Sequence, residues 1–137
     1  MVAMKIKGRE IKPRADLQEA NFGGADLDGA NLWDANLWLA DLRDADLRGS
    51  CLRRVNLGGA NLAGANLAGA DLEDADLKCA NLAGADLHFS DLRGADLRGA
   101  DLSGADLQFA ILSPDTVAKF RKELSRAKNL DKVTLKA

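Results

Sequence analysis

The chain has 137 residues, a net charge of −2, 47% hydrophobic residues and 4% aromatic residues, which suits one soluble domain. No window approaches the roughly 18 consecutive apolar residues of a membrane-spanning helix. Two cysteines, one histidine and no tyrosine exclude a disulfide framework and a Cys-only zinc site and leave few groups for catalysis.

In chain order, residues 1–14 come first. They begin MVAMKIKGRE, with no apolar signal core, which predicts no secretion. Lys5-Ile6-Lys7 and Glu10-Ile11-Lys12 alternate apolar and charged residues, a pattern for a short strand or hairpin. Such a segment is expected to cap whatever follows.

From Ala15 the chain repeats every five residues: ADLQE, ANFGG, ADLDG and onward to AILSP, ending at Pro114. Twenty pentads run without an insertion. Calling the leucine position i, position i−2 is alanine in seventeen pentads, and Ser50, Val55 and Ser90 are the exceptions. Position i−1 is Asp in eleven and Asn in seven, with Cys51 and Ile111 departing, and half of the i+2 residues are glycine.

A period of five fits neither regular element. On a helix successive leucines rotate by about 140°, so no apolar stripe forms. On a continuous strand they fall on opposite faces. The pattern fits a short extended piece followed by a corner. Residues i−2 and i then point inward, i−1 points outward, and glycine at i+2 suits a tight turn. The chain therefore coils, with leucine and alanine inside and coils stacked at about 4.8 Å.

The tandem A(D/N)LXX pattern resembles the pentapeptide-repeat protein family, over residues 15–114 or about three-quarters of the chain. The resemblance implies an all-β solenoid, a right-handed quadrilateral β-helix with four pentads per coil, hence about five coils. The expected division is an N-terminal cap over 1–14, the β-helix over 15–112, and a C-terminal α-helix and tail over 113–137.

The C-terminal segment reads as a helix over 113–128. Ser113 can cap it, Pro114 suits its first position and Asp115 its positive end. Val117, Phe120, Leu124 and Ala127 share a face. That face is expected to cap the last coil. The resemblance adds a second role, a dimer contact, so the chain is expected to be a monomer or a homodimer through its C-terminal region.

The charges are segregated. Residues 15–112 carry seventeen acids against seven bases, a net −10, while residues 1–14 and 113–137 each carry +4. With pentads dealt to four sides in turn, Asp26, Asp46, Asp86 and Asp106 fall in one outward row, interrupted by Asn66. Such a row is either the repeat's own turn chemistry or a functional acidic face. The basic flanks lack aromatic interleaving, so no direct nucleic-acid binding is expected.

Outward positions should be polar, so the exceptions are candidates for contact. Trp33, Trp38 and Leu39 fall around one corner of the first coils and are candidate partner anchors, unless the N-terminal segment folds over them. Phe89 and Phe109 are twenty residues apart and should stack. The simplest expectation is that the C-terminal helix folds back and buries them with Phe120 or Leu124.

His88 has no second histidine or cysteine beside it and is expected to be exposed, with no catalytic or metal role. Cys51 and Cys79 lie on different sides, too separated to pair, and free thiols fit a reducing cytoplasm. The reading is therefore a protein without enzymatic activity, cofactor or membrane contact, acting as an interaction scaffold for an unidentified protein. The alternative, supplied by the resemblance, is an acidic DNA mimic that binds a type II topoisomerase, DNA gyrase. The unbroken register lacks the projecting loops of Qnr-type members, and seven bases interrupt the acidic walls.

Overall fold

A computed structural model describes residues 4–137. The expected cap over 1–14 therefore includes three residues outside the described ones. Within the rest, β1 (Met4–Ile6) and β2 (Arg9–Ile11) form an antiparallel hairpin, pairing Met4 with Ile11 and Ile6 with Arg9. Its two-residue turn is Lys7-Gly8, both at positive φ, the geometry that matches strand twist. Ile11 is buried and Ile6 packs against the core, so the hairpin covers one end of it.

Beyond the hairpin the chain winds with a period of twenty residues. Parallel bridges join Asp16 to Asn36, Asn36 to Asn56 and Asn56 to Asp76, and three further rows start at Asn21, Asp26 and Asn31. Four pentads therefore close one turn, one on each side of a rod. We name the sides by these first residues.

An interior pentad with Asp or Asn at i−1 accounts for all five of its backbone donors. Leu62 N–H donates to Asn81 O in the following coil (2.7 Å) and Gly64 N–H to Ala83 O (2.9 Å). Asn61 N–H donates back to Ala40 O (2.9 Å), and Ala65 N–H closes the corner on Leu62 O (2.9 Å). The fifth, Ala63 N–H, donates to the Asn61 side chain (3.1 Å). That fifth bond explains why i−1 is Asp or Asn. Its oxygen takes the one donor that no neighbouring coil can reach.

The i+2 residue of the corner sits at positive φ whether or not it is glycine. Gly64 has φ 70°, and Leu39, Cys79, Phe89 and Phe109 lie at 56–59°. The first corner residue then the left-handed one is the arrangement of a type II turn. Leucine at i and alanine at i−2 fill the interior, with Phe22 and Val55 as variants of the same positions. The buried hydroxyls of Ser50 and Ser90 donate to Leu47 O and Leu87 O at 2.7 and 2.8 Å.

The C-terminal segment differs from a single helix over 113–128. It forms α1 (Pro114–Lys119) and α2 (Arg121–Leu124), broken at Phe120 with φ −116° and ψ 33°. Ser113 caps α1, its Oγ accepting from Thr116 N–H at 3.2 Å. Thr116, Phe120 and Leu124 are buried over the last coil. A helix through 128 would run straight for about 24 Å, whereas the chain must turn back to the open sheet edge. Residues 126–136 pair with that edge. Lys128 N–H donates to Ala105 O at 2.7 Å, and Thr134 N–H to Ala110 O at 2.8 Å. Beyond a 3₁₀ turn (Leu130–Lys132), β4 (Thr134–Leu135) lies parallel to β3 (Ile111–Leu112). No helix among the described residues is long and apolar enough to cross a membrane.

Candidate interaction surfaces

The Asp26 side carries the predicted acidic row, and bridges connect Asp26, Asp46, Asn66, Asp86, Asp106 and finally Lys128. Its carboxylates are engaged. Asp46 accepts from Arg48 Nε (2.9 Å) and its backbone N–H (3.1 Å), which holds its carboxyl below the usual range. Asp106 accepts from Asn129 Nδ2 (2.7 Å) and Gln108 N–H (3.0 Å) and is lowered for the same reason. Asp86 accepts from His88 N–H (2.9 Å). The row is continuous; Arg48 offsets the charge of Asp46 and His88 lies against Asp86, while Asp26 and Asp106 keep their charge.

His88 is half-buried rather than exposed. Its Nδ1 lies 2.7 Å from Asp86 and its Nε2 3.1 Å from Gln108, with Asp106 at 3.7 Å. The hydrogen bond to Asp86 raises its pKa; burial opposes this, and Gln108 and Asp106 add to it.

The three apolar residues assigned to one corner separate into two settings. Trp33, on the Asn31 side, is half-buried, with the Arg14 guanidinium 4.7 Å from its ring centroid and that of Arg54 at 5.9 Å. Asp34 holds both arginines, at 3.6 and 3.7 Å. Trp33 is thus a structural plate, partly covered by Arg14 from the N-terminal segment. Trp38 and Leu39, on the Asp16 side, remain 43% and 44% exposed. They lean over Gly58 and Gly59 of the next coil, where a Cβ would meet Trp38 Cδ1 at 3.3 Å and Leu39 Cδ2 at 2.6 Å.

Phe89 and Phe109 stack at 5.2 Å between centroids, as the twenty-residue spacing predicts. The helix does not bury them. They are 63% and 44% exposed, because α1 and α2 cap the end of the rod while these rings stand on its side. Phe120 and Leu124 are spent on the cap, and Val117 is half-buried. An interface through Phe120 or Leu124 would have to open that cap.

On the Asn31 side, Asp71, Glu73 and Asp91 come close enough to suggest a metal donor set. Two arginines occupy them: Arg53 lies 2.6 Å from Glu73, and Arg93 2.6 Å from Asp91 and 3.6 Å from Glu73. Cys51 and Cys79 are free thiols, the first half-buried and the second exposed. Cys51 replaces the side-chain acceptor of its corner, so the Arg53 N–H loses the bond made elsewhere. Neither the arginine plate around Trp33 nor the glycine seats beneath Trp38 and Leu39 is visible within a single pentad. Reading positions twenty apart would have found both, since Arg54 and Gly59 stand twenty residues after Asp34 and Leu39.

A sequence profile described as pentapeptide repeats matches residues 15–54, 40–78, 56–88 and 80–113, in eight copies. The chain belongs to the pentapeptide-repeat family. Its fold is the family's right-handed quadrilateral β-helix. Among solved structures, this pentapeptide-repeat protein is similar to Rfr23 from the cyanobacterium Cyanothece 51142, at 38% identity and TM-score 0.50, covering 68% of this chain and 56% of that one. It is also similar to HetL from Nostoc sp. strain PCC 7120, described as involved in heterocyst differentiation regulation. That match has 37% identity and TM-score 0.38, covering 76% of this chain and 60% of HetL. QnrB1, a plasmid-mediated fluoroquinolone resistance protein, aligns at 22% identity and TM-score 0.44, over 74% of this chain and 55% of that one. The chain thus spans little more than half the length of these relatives. No curated protein matches it significantly.

Proposed function

We propose that this chain is a non-enzymatic scaffold that engages a partner protein through the Trp38–Leu39 corner. The observation that carries this reading is energetic. Leu39 takes a left-handed backbone, φ 57°, where glycine is the unstrained residue, and it does so to hold an apolar side chain in solvent beside an exposed tryptophan. The two side chains are seated on glycines and held in place, which suits a contact anchor. The two free thiols support a reducing, cytoplasmic setting. The test is affinity capture with the wild-type chain against Trp38→Ala/Leu39→Gly. A partner retained by the wild type and lost by the variant, at unchanged circular dichroism, supports the reading. Partners captured equally by both refute it.

A second reading is an acidic nucleic-acid mimic that binds a type II topoisomerase such as DNA gyrase. The net −10 of the walls and the continuous Asp26 row favour it. The pairing of Asp46 with Arg48 and Asp86 with His88 works against it. A gyrase supercoiling assay at two salt concentrations separates the two readings, since inhibition by charge must fade with salt. It must also vanish when Asp26, Asp46, Asp86 and Asp106 become Asn.

A further inference from the structure

The corner after the Asp26 side carries Gly29, Gly49, Gly69, Phe89 and Phe109 in successive coils, all at positive φ. A Cβ at any of the three glycines would meet nothing within 4 Å. The corner is therefore bare along its first three positions and carries an exposed aromatic ridge along its last two. Both phenylalanines occupy the left-handed conformation, at 56° and 59°, so the ridge stands where glycine costs least. Large exposed apolar side chains on strained backbone ask for a surface to cover them.

We propose that a second copy of this chain covers the ridge, the two rods packing side by side and antiparallel along this corner. A two-fold axis across the rods, midway between the levels of Gly69 and Phe89, sets each copy's ridge into the partner's bare stretch. Phe89 then meets Gly69, and Phe109 meets Gly49. Such a contact is isologous and closes on itself.

The flanking positions fit the same operation. On the Asn31 side, half-buried Cys51 comes across from half-buried Ile111. On the Asp26 side, Asp28 of the acidic first coil faces the layer that holds Lys128 and Lys132. The basic C-terminal layer thus lies beside the acidic first coil, while the basic N-terminal hairpin falls one level beyond the partner's last layer. Two like-charged pairs also meet: Asp71 with Asp91, whose carboxylates already hold Arg53 and Arg93, and Asp46 with Asp106, which already hold Arg48 and Asn129. The hairpin and helix caps and the matching charge of the two ends disfavour end-to-end stacking instead. A strip about 24 Å long buries less than the roughly 800 Å² per partner of a stable complex, so the dimer is weak.

Sedimentation velocity from about 10 µM to about 1 mM tests this. The expected result is a concentration-dependent dimer, with Phe89→Gly and Phe109→Gly each raising the dissociation constant about tenfold or more. Both substitutions relieve backbone strain, so the variants fold. Gly69→Lys, which fills the partner's notch and keeps the ridge, should abolish the dimer too. A monomer throughout the range overturns the proposal, as does a dimer indifferent to Phe89→Gly. Geometry is read in a Cys79→Ser background, where Ile111→Cys should cross-link to the partner's Cys51 under mild oxidation. Those two positions lie three coils apart within one chain, so the cross-link must be between copies. A persistent dimer with no such cross-link overturns the antiparallel arrangement.

Discussion

Leu39 occupies the space that a side chain on Gly59 would need: a Cβ built there falls 2.6 Å from Leu39 Cδ2. Leu39 would have to swing aside to admit it. Gly59 also has φ 65°, so Gly59→Ala incurs both a clash and a left-handed alanine. The expected loss is about 2 kcal/mol or more in urea unfolding. Gly69→Ala, with open space around it, should lose only about 1 kcal/mol. In a double-mutant cycle, Leu39→Gly should recover the difference between the two. Additive losses would show that Leu39 does not fill that space.

Asn61 is the sole acceptor for the Ala63 N–H at 3.1 Å. Asn61→Ala is expected to cost about 1–2 kcal/mol by leaving that donor without a partner. Asn61→Asp keeps the acceptor and should lie within about 0.5 kcal/mol of wild type. Thermal unfolding at neutral pH measures both. Equal effects would assign the outward row to solubility alone.

The pentad already carried most of the architecture. Leu62 and Ala60 point the same way because two residues separate them, and Asn61 must then face out. The interruption at Phe120 was not visible, because the 3.6-residue pattern through Val117, Phe120, Leu124 and Ala127 continues across it. What breaks the helix is the free sheet edge that residues 126–136 return to pair with, and a pattern of local spacing carries no trace of that demand. The candidate surfaces were legible as positions but not as environments. Trp33 and Trp38 occupy equivalent places in neighbouring pentads. One is clasped by Arg14 and Arg54 and the other leans on glycine, because the residues above and below them differ.

His88 is the chain's one histidine, so its ring protons give an unambiguous titration by NMR. The Asp86 hydrogen bond raises its pKa above the free value near 6.5. A raised histidine stabilises the fold fully below about pH 6.5, and that contribution is lost as pH rises through the elevated value. The midpoint should therefore exceed 6.5 and fall in Asp86→Asn. A midpoint at or below the free value would mean the Asp86 contact is absent in solution.

At the acid end the sign reverses. Arg43 donates Nε and NH2 to Asp41 at 2.9 and 2.6 Å, and with its backbone N–H this lowers the Asp41 pKa to about 2. The Arg98 side chain lowers Asp96 likewise, with burial opposing and the Arg98 backbone N–H assisting. A depressed carboxylate stabilises the fold above about pH 4 and loses that contribution as pH falls toward 2. Stability should be level from about pH 5 upward as far as these groups are concerned, then decline below 4. Arg43→Ala should move the acid midpoint to higher pH. An unchanged midpoint would show that the ion pair is too solvated to matter.

Within the repeat, the hydrogen bonds between coils span nineteen or twenty-one residues. Length is therefore stored as a count of identical steps rather than in any one residue. Copying or excising twenty residues inside the repeat would return every Leu to the interior and every row to its own side, altering only how far the walls extend. A change of five would also keep the interior intact yet rotate everything beyond it by one wall. The same genetic slippage can thus either lengthen a binding surface or reassign which groups share it.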